Sequence, residues 1–127
     1  MLVTNILIVE DHKLFTEALE RVLRVALGGG AILCFSQATS VAEGMRLVSA
    51  EPDGPFDLAV VDLMLPDGDG TEVVREIKTR RPGTRVLVLS ADQDLSRALA
   101  AGADETMPKS TGLHEIVASV ARLIRAF

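Results

Sequence analysis

The chain has 127 residues, 48% of them apolar, a formal net charge of −5 and one cysteine. That is one domain's length, enough to bury a core without disulfide or metal staples, and the apolar content excludes a disordered chain. The negative charge, with aromatics at 3% and all of them Phe, argues against direct contact with nucleic acid by phosphate pairing or base stacking.

The N-terminal MLVTNILIVED runs straight into charged residues, with neither a basic n-region nor a small-residue cleavage site, so it does not read as a signal peptide. Within it, residues 6–9 (ILIV) form the first expected strand. An amphipathic helix follows, with Phe15, Leu19, Val22, Leu23 and Ala26 on one face. Gly28, Gly29 and Gly30 read as a helix-to-strand turn rather than a dinucleotide fingerprint, because the strand follows them. That second strand is AILCF, residues 31–35. Its Cys34 reads as a buried reduced thiol, which leads us to expect a cytoplasmic protein.

Ser40 through Glu43 fit a capping box that opens a helix carrying Val41, Met45 and Val48. The third strand is LAVV at 58–61. A helix after Gly70 presents Val73, Val74 and Ile77 and stops at Arg80, Arg81, Pro82 and Gly83. The fourth strand is VLVL at 86–89. Beyond it only residues 94–101 can be helical, about two turns of roughly 3.6 residues. Glu105, Thr106 and Met107 form a weaker fifth strand, and the last helix carries Leu113, Ile116, Val117, Val120 and Ile124.

The strand runs are continuously apolar rather than alternating, as in a parallel sheet covered on both faces, and no apolar run nears the roughly 18 residues of a membrane span. Alternation of strand and helix over residues 1–127 predicts a single α/β domain, doubly wound and flavodoxin-like. Its five parallel strands would lie in the order 2-1-3-4-5, with a shortened fourth helix.

Chemistry in such sheets gathers at the carboxyl ends of the strands. Strand one ends in Glu10 and Asp11, strand three in Asp62, strand four in Ser90 and strand five in Lys109. Taken singly, Asp11 could be a helix cap and Asp62 a turn residue. Together they crowd three carboxylates into one crevice, an arrangement that a hard divalent cation such as Mg²⁺ makes tolerable. These residue types support phosphoryl transfer to a carboxylate: Asp62 as nucleophile, Lys109 as cation and Ser90 as hydroxyl for the phosphoryl oxygens.

The motifs IVEDH, VVDLMLPDGDG, VLVLSA and AGADETMPKS resemble the receiver domain of bacterial two-component response regulators, over essentially the whole chain. The resemblance implies a signalling switch rather than an enzyme, with Asp62 taking a phosphoryl group from a sensor histidine kinase or phosphotransfer protein. It implies Mg²⁺ held by Asp11, Asp62 and the backbone carbonyl of Met64, with Glu10 acting mainly through water. Ser90 takes the switch hydroxyl position and Lys109 the lysine position. IVEDH with SADQD and AGAD resembles receivers of the LuxR/NarL type, which often precede a helix-turn-helix DNA-binding domain; none occurs in these 127 residues. Downstream partners implied are another protein, such a DNA-binding domain or a second copy of the chain.

Two features depart from that pattern. Thr106 stands three residues before the lysine, where the family carries Phe or Tyr. The interval from Ser90 to Lys109 is also about three residues short, close to one helical turn, with the loss at the start of helix four because residues 97–103 still match. Both fall on the face of helix four, strand five and helix five, so a muted output is expected.

Two other readings compete: a receiver-like binding module that works without phosphate, and a phosphatase. DGDGT spells the Asp-x-Asp-x-Thr of haloacid-dehalogenase-type phosphatases through Asp67 and Asp69, but Pro66 spoils the strand that motif needs. A calcium-binding EF-hand loop fails from the same start, since its sixth position is Glu72 and its twelfth Lys78. His12, directly after the acidic pair, could be a ligand or a phosphohistidine but is expected at a helix start near solvent, and His114 on the surface.

Overall fold

A computed structural model of the chain describes residues 2–29, 31–91 and 96–125. Its elements are β1 (Leu2–Val9), α1 (Lys13–Leu27), β2 (Ala31–Ala38), α2 (Val41–Ala50), β3 (Leu58–Asp62), α3 (Thr71–Arg80), β4 (Arg85–Ser90), α4 (Ser96–Ala101), β5 (Glu105–Pro108) and α5 (Leu113–Arg125). The five strands pair in parallel in the order 2-1-3-4-5, the doubly wound arrangement expected. Among the described residues no helix is long and apolar enough to cross a membrane.

The continuous apolar runs divide by parity. Leu7, Val9, Ala59, Val61, Val86 and Val88 face α2, α3 and α4, meeting Val48, Val73, Val74, Ile77 and Ala98. Ile6, Ile8, Leu58, Val60, Leu87 and Leu89 face the other way, against Leu19 and Leu23 of α1 and Ile116 and Val120 of α5. Residues 6–9, 58–61 and 86–89 are therefore buried whichever face they take, which is why no polar alternation interrupts those runs.

Some boundaries differ. β1 starts at Leu2, and β2 continues to Ala38, paired along its length from Leu2↔Ala31 to Val9↔Ala38. The polar Ser36 and Gln37 hid that extension, since an edge strand can carry them at little cost. Cys34 is only partly buried. On α1, Ala26 is exposed, and Leu27 packs against the core instead. The α4 described, Ser96–Ala101, lies within the expected 94–101; Asp94 and Leu95 fall outside the described residues. Ala98 and Ala101 are its buried residues.

Two two-residue strands, Met64–Leu65 and Gly68–Asp69, add a hairpin between β3 and α3. Helix α2 begins with half of the expected capping box. Ser40 Oγ accepts the Glu43 N–H at 3.1 Å, while the Glu43 carboxylate turns to the Thr39 hydroxyl. The hairpin fills the remaining need. Asp67 accepts the N–H groups of Val41 at 2.7 Å and Ala42 at 3.0 Å, donors left without partners in the first turn of a helix.

Candidate functional site

Strand register brings the polar residues together. Val9 pairs with Val61, so Glu10 and Asp62 follow side by side at the ends of β1 and β3. The Glu10 N–H continues the ladder to the Ala38 carbonyl at 2.9 Å, fixing its backbone. Asp62 lies opposite Leu89, one residue before Ser90. Ser90 pairs with Pro108, and the next residue, Lys109, donates its N–H to the Ser90 carbonyl at 2.8 Å.

The result is an acidic cleft. Glu10 is 4% exposed and Asp62 5%, whereas Asp11 and His12 lie at the mouth. One carboxylate oxygen from each of Glu10, Asp11 and Asp62 and a ring nitrogen of His12 lie within 4.8 Å of one another. Lys109 reaches in from the other side. Its Nζ donates to Asp62 Oδ2 at 3.2 Å, forms an ion pair with Glu10 Oε1 and lies 2.5 Å from His12 Nδ1. The other Asp62 oxygen accepts the Met64 N–H at 3.1 Å.

Three carboxylates here share one ammonium, so negative charge is in excess. Burial pushes the Glu10 carboxyl up to about 7, with Asp62 adding to the rise and Lys109 opposing it. For Lys109 burial alone would lower the ammonium, but Glu10 and Asp62 outweigh it and raise the value. Neither Glu10 oxygen receives a directed hydrogen bond; the Lys109 contact is an ion pair only. Buried oxygens left in that state, beside two further carboxylates, fit a hard divalent cation.

A glycine lets the acceptor loop close. A Cβ at Gly70 would sit 2.1 Å from the Asp62 carbonyl oxygen, so α3 can begin against the end of β3 only because that atom is missing. Gly70 N–H also donates to the Leu63 carbonyl at 2.8 Å.

The neighbouring aspartates are engaged elsewhere. Asp67 caps α2, and the N–H groups of Ala42 and Val41 hold its carboxyl below the ordinary aspartate range. Asp69 accepts the Thr71 N–H at 2.9 Å and forms an ion pair with Arg97 of α4. Neither joins the acidic cluster found among the described residues. Ser90 is fully buried, and Thr106, half-buried, lies opposite Val88 in β5.

Two contacts go beyond the expected solvent-side helix start and core stripe of α1. His12 is exposed at the start of α1 as expected, yet it also belongs to the cleft; its position directly after an acidic pair was the available signal. Phe15, one turn further on, lies under Lys109 Nζ at 5.3 Å from the ring centre, within cation–π range. His114 is exposed.

The family model for the response regulator receiver domain matches residues 6–121. The chain is 37% identical over 125 residues to the KDP operon transcriptional regulatory protein KdpE of Escherichia coli K12; the match covers 96% of this chain and 52% of KdpE. The chain thus spans about half the length of that relative. Among solved structures, the signal receiver domain of NarL from Mycobacterium tuberculosis superposes with a TM-score of 0.81 at 27% identity, covering 100% of both chains. A CheY-like receiver domain protein from Methanospirillum hungatei shares the fold, with a TM-score of 0.83 at 24% identity over 98% of this chain and 95% of that one.

Proposed function

The chain belongs to the response regulator receiver domain family, and on that premise we propose that it is a phosphoacceptor in which Asp62 takes a phosphoryl group from a phosphohistidine. The observation that carries this reading is the state of Asp62. It is a buried carboxylate on the last residue of a central strand, held at one oxygen by Lys109 and at the other by the Met64 N–H. Of the three aspartates at 62, 67 and 69, Asp67 and Asp69 are committed to α2 and Arg97, and Asp62 is the one that joins the cleft.

In the proposed transfer an Asp62 oxygen attacks phosphorus, an acyl phosphate bond forms, and the phosphorus–nitrogen bond to the donor imidazole breaks with its electron pair leaving on nitrogen. Asp11, Asp62 and the Met64 carbonyl would hold Mg²⁺, with Glu10 acting through water. Bound there, Mg²⁺ offsets the repulsion between carboxylate and phosphoryl oxygens. The Lys109 ammonium, at Asp62 Oδ2 in this structure, would pair with a phosphoryl oxygen once the acyl phosphate forms. The Ser90 hydroxyl would close on another oxygen, pulling its loop inward. Thr106 and the short α4 make the outward response weak.

The partners in this reading are a sensor histidine kinase or phosphotransfer protein in the cytoplasm. Downstream stands an output domain in a longer protein, a separate protein or a second copy of the chain. Incubation with acetyl phosphate followed by intact mass tests the reading. A gain of one phosphoryl group with Mg²⁺, lost on adding EDTA, supports it; no gain in Mg²⁺ contradicts it.

A further inference from the structure

His12 stands at the start of α1, where a side chain commonly caps the helix, but it makes no capping hydrogen bond. Its imidazole turns to the cleft instead, with Nδ1 3.4 Å from Glu10 Oε1, 3.9 Å from Asp11 Oδ1 and 2.5 Å from Lys109 Nζ. An ammonium has only donors, and an imidazole that carries its proton on Nε2 offers it a lone pair at Nδ1. The same lone pair is what ligates a metal. Beside it Glu10, 96% buried, has Oε1 in an ion pair with Lys109 and Oε2 without a partner.

Mg²⁺ prefers oxygen donors throughout, whereas an imidazole nitrogen favours the later first-row divalent ions. Resting on the reading of this cleft as the phosphoacceptor site, we propose that His12 Nδ1 makes it a mixed nitrogen–oxygen site for a late first-row cation such as Co²⁺, Ni²⁺ or Zn²⁺. Glu10, Asp11 and Asp62 supply the oxygens. Lys109 leaves His12 when such a cation enters, so cation and lysine compete for one lone pair. Mg²⁺ uses the oxygens alone and owes nothing to His12.

Calorimetric titration of the full chain with Mg²⁺ and, separately, with Co²⁺ tests this, alongside the visible spectrum and the paramagnetically shifted imidazole signals of the Co²⁺ form. His12 is 69% exposed and bears no cap, so His12→Ala leaves the fold in place. His12→Ala should weaken Co²⁺ binding by about tenfold or more and remove the shifted imidazole signals. Mg²⁺ affinity should hold. His114→Ala, which removes the chain's other histidine, should change neither titration. Co²⁺ affinity unchanged in His12→Ala, or an equal loss for both cations, overturns the assignment of His12 while leaving the cleft a metal site. Failure of the unmodified chain to bind Mg²⁺ overturns the underlying reading as well.

Discussion

The backbone N–H of Lys109 donates to the backbone carbonyl of Ser90 at 2.8 Å, joining the ends of β5 and β4. Ammonium and hydroxyl are therefore carried on one hydrogen-bonded unit, and a shift of either loop moves the other. Lys109→Ala removes the competing cation from a cleft of three carboxylates, so Mg²⁺ should bind more tightly by calorimetry. Phosphorylation should then no longer be transmitted to conformation. Ser90→Ala removes one neutral donor to a charged oxygen, worth roughly 1.5–3 kcal/mol, and should weaken transmission less. Normal signalling by Lys109→Ala would show that its role is wrongly assigned.

Gly70 is the most constrained position near the acceptor. Gly70→Ala places a methyl group 2.1 Å from the Asp62 carbonyl oxygen, and backbone cannot give way as a flexible side chain can. A loss of about 1–3 kcal/mol in urea unfolding is expected, with slower phosphoryl uptake because the end of β3 must move. Unchanged stability and uptake would mean that the loop has slack which this geometry does not show.

Asp67 gives a pH dependence of known sign. Its folded-state value is depressed by the Ala42 and Val41 N–H groups. The stabilisation is therefore fully present above the unfolded-state value of about 3.9 and is lost as pH falls through the lower folded value. Asp67→Asn should remove that part of the acid dependence, so the melting temperatures of variant and parent should converge as the pH falls. Circular dichroism melts across the acid range measure it. A difference in melting temperature that stays constant with pH would contradict the cap.

The fold was legible because burial on both faces writes strands as unbroken apolar runs, and the helices as stripes between them. What was illegible was either too short or too distant. A two-residue strand such as Gly68–Asp69 leaves no period to read. The roles of Asp67 and Asp69 depend on Val41 and Arg97, 26 and 28 residues away, and that of His12 on Lys109, 97 residues away. Glu10, Asp11, Asp62 and Lys109 were legible as a set because a parallel sheet sends every strand's carboxyl end to one edge. The Glu10 oxygen left without a partner was not, since nothing local to the chain reveals it.

The output face should respond weakly. Phosphorylation shifts a two-state equilibrium only by as much as its interactions differ between the states, and an aromatic ring offers a large difference in buried area between them. At roughly 25 cal/mol per Å², replacing a ring by Thr106 removes about a few kcal/mol from that gap. Beryllofluoride should shift the amide signals of Asp62, Ser90 and Lys109 strongly, and those of α4 and α5 weakly. Strong phosphorylation-dependent dimerisation, abolished by substitutions on α4, β5 and α5, would show that Thr106 and the short helix do not mute the output face.

The most direct measurement of the central claim is intact mass after acetyl phosphate and Mg²⁺, run in parallel on the unmodified chain and on Asp62→Asn, Asp67→Asn and Asp69→Asn. One phosphoryl group is expected on the unmodified chain, on Asp67→Asn and on Asp69→Asn, and none on Asp62→Asn. Full labelling of Asp62→Asn, or labelling lost only with Asp67 or Asp69, would contradict that claim.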